Sequence, residues 1–227
     1  EFRRVLFRSA GNPTKVDGCR MAGIFLYRGD HCVIADCLVR DYAGDGISFQ
    51  QSNDVVVERC VAERCAGFGL HPGSGSQRPV VRDCRATANG EDGFFFCWRV
   101  RGGLAEGNLL ENNGGVGMSI GHKDSDNVVR GNTVVGNRGG GVCWRPEAEP
   151  MAAHRVTFEN NTVRDNDGWG LFVDGATRGT IIRGNVIEDT GGGRQKTGIR
   201  LGAEAGDVTL EGNTIKATAE VVDERRR

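Results

Sequence analysis

The sequence is poor in proline, with five in 227 residues, and close to electroneutral, with 29 Lys and Arg against 30 Asp and Glu. It has no stretch of eighteen apolar residues, so no segment reads as a membrane-spanning helix. Charge balance removes the electrostatic case for nucleic acid or an anionic membrane as partner. Eight cysteines would permit a disulfide framework. No CxxC pair occurs, however, and their spacing matches no zinc pattern. A 3.6-residue period is also missing, and no repeat holds ten residues free of glycine or turn formers. Helical and leucine-rich repeats are thereby excluded.

Glycine is abundant: there are 36, without a triplet period, which suits tight turns between short strands. Glycine followed by an apolar residue recurs at Gly23, Gly46, Gly69, Gly93, Gly117, Gly141, Gly170 and Gly198, in steps of 23, 23, 24, 24, 24, 29 and 28 residues. A second marker keeps phase with it: Cys19, Cys37, Cys60, Cys84, Asn108, Asn132, Asn161, Asn185 and Asn213. Such a period means a solenoid, in which each repeat buries its apolar face on its neighbours.

Within each repeat apolar residues alternate with period two. They predict inward columns Ile24, Ile47, Leu70, Phe94, Met118, Val142, Leu171, Ile199 and Leu26, Phe49, Phe96, Ile120, Trp144, Val173, Leu201. Two to three strands per turn of about 24 residues is the arithmetic of a parallel β-helix. A further column, Tyr42, Cys65, Asn89, Asn113, Asn137, Asn166 and Thr190, reads with the first as stacked amide ladders at corners. Cys37, Cys60 and Cys84 read as buried structural thiols in one stack.

The first nine residues, EFRRVLFRS, fit no repeat and resemble a translated short-read sequencing adapter. They are set aside as an artefact, which makes the chain a fragment whose true start is missing. Residues 10–218 form the predicted β-helix domain and 219–227 a charged tail.

The markers N-x-[VI] and GI-x-[VLF], recurring from Gly11 to Ala217, resemble the right-handed parallel β-helix repeats of the pectin lyase-like superfamily. That resemblance implies an all-β, single-stranded right-handed parallel β-helix of about eight turns. It also implies polysaccharide as partner, an extracellular or periplasmic location, and a groove on the outer face of one sheet. It does not select a chemistry. Lyases, hydrolases, uronate epimerases and non-catalytic surface modules share the fold.

Outward positions in the central turns gather unlike groups. Arg99, Lys123 and Glu147 are expected at equal depth on three consecutive turns, with His122 between Trp98 and Pro146. A base, a cation and an aromatic platform in one groove suit an acidic polysaccharide. Lys123 or His122 would take the proton α to a uronate carboxylate, and Arg99 or Arg145 would neutralise that carboxylate. His71 is a further catalytic candidate. Trp98 would stack on a sugar ring, with Gln50, Asp124, Glu147 and Asp174 as other substrate contacts. Asp124, Asp126, Glu147 and Glu149 offer oxygens to a hard cation such as Ca2+, but no metal-ligand set is assigned. The epimerase DPHD signature is only echoed by His71-Pro72, and the polygalacturonase carboxylates are absent. The sequence reading favours lyase-type β-elimination on a uronate chain. A non-catalytic glycan-binding module, a glycoside hydrolase and a uronate epimerase are its alternatives.

Overall fold

The computed structural model describes residues 21–225 and, before them, the backbone of Phe2–Arg3 and Leu6–Arg8. It consists of three nine-stranded sheets, and every strand pairs in parallel with its counterpart one turn away. The first sheet runs from Phe2–Arg3 through Val33–Ala35 to Val208–Glu211, and the second from Leu6–Arg8 through Leu38–Arg40 to Thr214–Lys216. The third contains Ala22–Tyr27, Asp45–Gln50, Leu70–Gly73, Phe94–Phe95, Met118–Ile120, Val142–Trp144, Trp169–Val173, Thr197–Leu201 and Ala219–Asp223. No helix occurs among the described residues.

Register follows the sequence period. Ile47 lies opposite Leu70, Phe94 opposite Met118, and Val142 opposite Leu171. From Phe49 to Leu201 the second inward column is buried, with Pro72 filling its place opposite Phe49; Leu26 at the first turn is half-buried. A one-residue slip would turn both columns to solvent, so burial itself fixes the register.

The marker glycines sit where the third sheet crowds the second. A Cβ on Gly46 would come 2.6 Å from the Ala62 methyl, and one on Gly170 2.6 Å from Ile187 Cγ2. Glycine is required there by lack of room.

The asparagine ladder is present and is fully buried over most of its length. Asn132 Oδ1 accepts from the backbone and side-chain nitrogens of Asn108 at 2.9 and 3.0 Å. Its own Nδ2 donates to Ala105 O and to Asn161 Oδ1, both at 2.9 Å. The ladder runs on to Asn185 and Asn213. A parallel one joins Asn89, Asn113, Asn137 and Asn166.

Two details differ from the sequence reading. The second ladder continues through Gln195, not Thr190, because Thr190 is exposed and donates to Asp165. The left-handed corner residue is also not the asparagine but the one before it. Asp36, Arg59, Asp83, Gly107, Gly131, Asn160, Gly184 and Gly212 have φ between 50° and 64°. This explains the recurring Gly-Asn pairs: glycine takes the turn, asparagine the ladder.

Cys37, Cys60 and Cys84 are buried and free, donating to Ala35 O, Glu58 O and Arg82 O at 3.2–3.3 Å. Disulfides are absent among the described cysteines. Ala219–Asp223, within the segment read as a charged tail, pairs with Thr197–Leu201 as a last strand. At the other end, the Phe2–Arg3 backbone pairs with Ile34–Ala35 and Leu6–Arg8 with Leu38–Arg40. The rest of the adapter-like segment lies outside the described residues.

Asn132→Ala leaves a buried amide N–H and a buried carbonyl without partners. It is expected to cost about 3 kcal/mol in urea unfolding. Asn213→Ala, at the half-buried end, should cost about 1 kcal/mol. Equal small losses at both positions would show that the ladder does not hold the turns together.

Candidate functional site

The outer face of the third sheet carries the unlike side chains. Two outward columns form its floor. One runs Ser48, His71, Phe95, Ser119, Cys143, Phe172 and Arg200, and the other starts at Gln50 and Gly73. Adjacent turns bring equivalent positions to roughly 4.8 Å, so groups far apart in sequence converge.

Arg145 is the hub of the central turns. Its guanidinium donates to Ser119 Oγ at 2.8 Å, Phe96 O at 3.1 Å, Asp124 Oδ2 at 3.2 Å and Glu147 Oε1 at 3.3 Å. It lies over the Phe95 ring at 4.6 Å and across the backbone of Gly121, where a side chain would collide with it. With its donors engaged, Arg145 organises the floor. Asp124 is fully buried and also accepts from the Val100 and Gly121 amides. Burial pushes its carboxyl up to about 7 against the opposing pull of Arg145 and those amides. Its place beneath Arg145 makes it a positioning group.

His122 and Trp98 stand above this floor. Their rings are tilted against each other, 5.4 Å apart, and Trp98 is 47% exposed. His122 Nδ1 lies 2.8 Å from Glu147 Oε1 but out of line for a hydrogen bond, and the other Glu147 oxygen takes the His122 backbone N–H. Burial, the largest influence, lowers the His122 pKa; Glu147 raises it and Arg145 lowers it further. At neutral pH the ring is therefore mainly the free base. The expected row of Arg99, Lys123 and Glu147 is broken at its third member. The 29-residue turn inserts a loop, so Lys123 N–H pairs with Met151 O and Glu147 folds back to His122.

Trp98 and Arg99 have φ of 58° and 69°, and His122 and Lys123 on the next turn 45° and 65°. Among the described residues these are the only consecutive non-glycine pairs in the left-handed region. Such strain, about 1 kcal/mol or more per residue, persists where the surroundings over-determine it and clusters at functional sites. Arg99 and Lys123 are thereby turned to the corner, where with Gly75, Gln77 and Arg101 they line a cleft of about 350 Å³.

The remaining candidates lie apart from this group. His71 is 5% exposed, its Nδ1 2.8 Å from the buried Asp45 carboxylate and its ring edge-on to Phe68 and Phe95. Gln50 is buried on the preceding turn, opposite Gly73. Asp174 lines a separate cleft of about 290 Å³ with Glu147 and Glu204. The four carboxylates offered to a cation each face a different arrangement: Asp126 meets Arg155, Glu149 meets Arg178 and His154, Glu147 meets His122 and Arg145, and Asp124 meets Arg145. Among the described residues no cluster of three His, Cys, Asp or Glu could hold a metal ion. Gln77 and Arg101 were not singled out in the sequence, although both lie in segments flanking the strands of this face.

Comparisons with known proteins follow the same geometry. A family model described as "Right handed beta helix region" matches residues 12–146 and 147–222. Among curated proteins the chain is similar to mannuronan C5-epimerase AlgE3 of Azotobacter vinelandii, 35% identical over 114 residues, which is 50% of this chain and 6% of that protein. It is also similar to AlgE2 of the same organism, 29% identical over 121 residues, 53% of this chain and 12% of that one. The chain thus spans a small fraction of the length of these relatives. Among solved structures, the periplasmic alginate epimerase AlgG superposes with a TM-score of 0.74 at 14% identity, over 85% of this chain and 47% of that chain. A polygalacturonase from Erwinia carotovora ssp. carotovora gives 0.70 at 12%, over 90% and 58%. At these identities the structural likeness is one of fold.

A carboxyl raised from its ordinary 3.8 to about 7 favours the fold below its unfolded pKa and loses that contribution as pH climbs toward 7. Compared with Asp124→Asn, wild type should therefore lose relative thermal stability between pH 5 and pH 8. A difference that stays flat or grows with pH would place Asp124 as an ionised partner of Arg145 throughout.

Proposed function

The chain belongs to the right-handed β-helix family, and from that premise we propose that it acts on a uronate-containing polysaccharide by removing the proton at C5. The observation that carries this reading is the surface group of Trp98, His122, Lys123 and Glu147 on three consecutive turns. It combines an aromatic platform, a neutral imidazole beside a carboxylate, and a cation that forms no ion pair with a described carboxylate.

The chemistry follows from these roles. C5 of a uronate is α to the carboxylate, so loss of its proton leaves charge that a nearby cation stabilises. Trp98 receives an apolar sugar face. Glu147 anchors the His122 backbone N–H and lies beside Nδ1, leaving Nε2 to take the proton, and Lys123 faces the carboxylate into which the electron pair moves. Arg145 and Asp124 keep Glu147 and the floor in place. Returning a proton to the opposite face of C5 inverts the centre. Expelling the 4-O substituent instead would give an unsaturated chain end. Inversion is the favoured outcome, because the similar curated proteins are named for C5 epimerisation of mannuronan; elimination, the outcome favoured from sequence, is the second reading. An extracellular or periplasmic location accords with such a substrate.

His122→Ala should lower turnover of a polyuronate by at least about 100-fold while the fold persists. The acidic limb of kcat/KM should fall below the ordinary imidazole value of 6.5. Glu147→Gln removes the negative charge that raises the His122 pKa, so it should move that limb lower still. Wild-type activity in His122→Ala on a polymer the parent transforms would reject His122 as base.

A further inference from the structure

Acidic partners are the rule for this protein's arginines, as in the two-bonded pairs of Arg59 with Asp36, Arg78 with Asp54 and Arg155 with Asp126. Arg99, Arg101 and Lys123 depart from that rule together. None of the three forms an ion pair with a described carboxylate, although they lie on two adjacent turns around one cleft of about 350 Å³. That volume is on the scale of a small-ligand site. Three unpaired cations exceed what one reacting carboxylate needs.

The cleft is built from fixed parts. The Arg101 backbone is held between its neighbours on both sides, bridging to Gln77 and to Ser125. Gln77 Nε2 donates to Gly75 O at 2.8 Å, Ser76 O at 3.1 Å and Arg99 O at 3.0 Å, tying one wall to the other. Gly75, at φ 83°, has open space where a side chain would stand. Asp126, one residue beyond the position facing Arg101, is committed to Arg155 at 2.5 and 2.9 Å.

We infer that this corner cleft binds the carboxylate of a second, non-reacting uronate beside the sugar stacked on Trp98, with Arg101 and Arg99 as its cations and Lys123 shared with the reacting residue. The inference rests on the proposed action on uronate chains and deepens it, because it makes consecutive acidic sugars the recognised feature. Turns roughly 4.8 Å apart present cations at intervals that contiguous charges can follow. A chain in which neutral sugars alternate with uronates would leave the arginine pair unmet.

The test compares binding by calorimetry of an all-uronate polymer, a polymer alternating uronate with neutral sugar, and a sulfated polysaccharide of matched charge density. Wild type should bind the all-uronate chain about tenfold more tightly than the alternating one. Arg101→Ala, an exposed change away from the reacting group, should abolish that preference and flatten the salt dependence, while Arg101→Lys retains part of it. Equal affinity of wild type for both uronate polymers, or an unchanged preference in Arg101→Ala, would overturn the inference and leave the His122 reading intact. Tighter binding of the sulfated chain than of the all-uronate chain would also overturn it, in favour of a general oxyanion site. Preference for consecutive uronates without any turnover would sustain the inference and defeat the proposed chemistry instead.

Discussion

The hydrogen-bonded register between stacked turns is the constraint on which the rest of this protein depends. It is held from inside by two means. Burial of paired apolar columns forbids a one-residue slip. The asparagine ladders then close the corners, since every rung satisfies both a backbone amide and a carbonyl of the turn before it, as Asn132 does for Asn108 N and Ala105 O. In a dry interior each such group would otherwise carry a penalty of about 1–3 kcal/mol.

Because the interior fixes the register, the exterior becomes a grid. Trp98 faces His122 only because Phe96 and Ile120 lie on the same inward column two residues earlier. Arg145 reaches Phe96 O across two turns for the same reason. The exception is instructive. Where the chain departs from 24 residues per turn, the inserted loop takes Glu147 out of its row and delivers it to His122. A length irregularity in the repeat thereby turns a surface charge into a neighbour of the His122 ring.

Much of the fold was legible in the sequence because its causes are local and periodic. Glycine recurs where the sheets crowd, asparagine where the corner amides need partners, and branched residues where strands face inward. The columns from Ile24 to Ile199 and the free thiols of Cys37, Cys60 and Cys84 follow from this. The site was legible in part. Its membership on the central turns came from counting outward positions, and Trp98 beside His122 emerges as that count requires. Depth did not. His71 and Asp124 stand at outward or strand-end positions, yet Phe68, Phe95 and Arg145 cover them, and coverage depends on side-chain direction that period alone does not encode. Thr190 was misassigned to the ladder because this corner itself holds extra residues, from Gly191 to Arg194, after which Gln195 reaches the same place through a longer side chain.

The central claim is that the group above Arg145 removes a proton from C5 of a uronate. Nuclear magnetic resonance of a polyuronate incubated with the protein in deuterated water tests it most directly. The account predicts deuterium at C5 with inversion of that centre, at unchanged chain length, and its disappearance with His122→Ala. A polymer that is bound yet acquires neither deuterium at C5 nor unsaturated ends would contradict it.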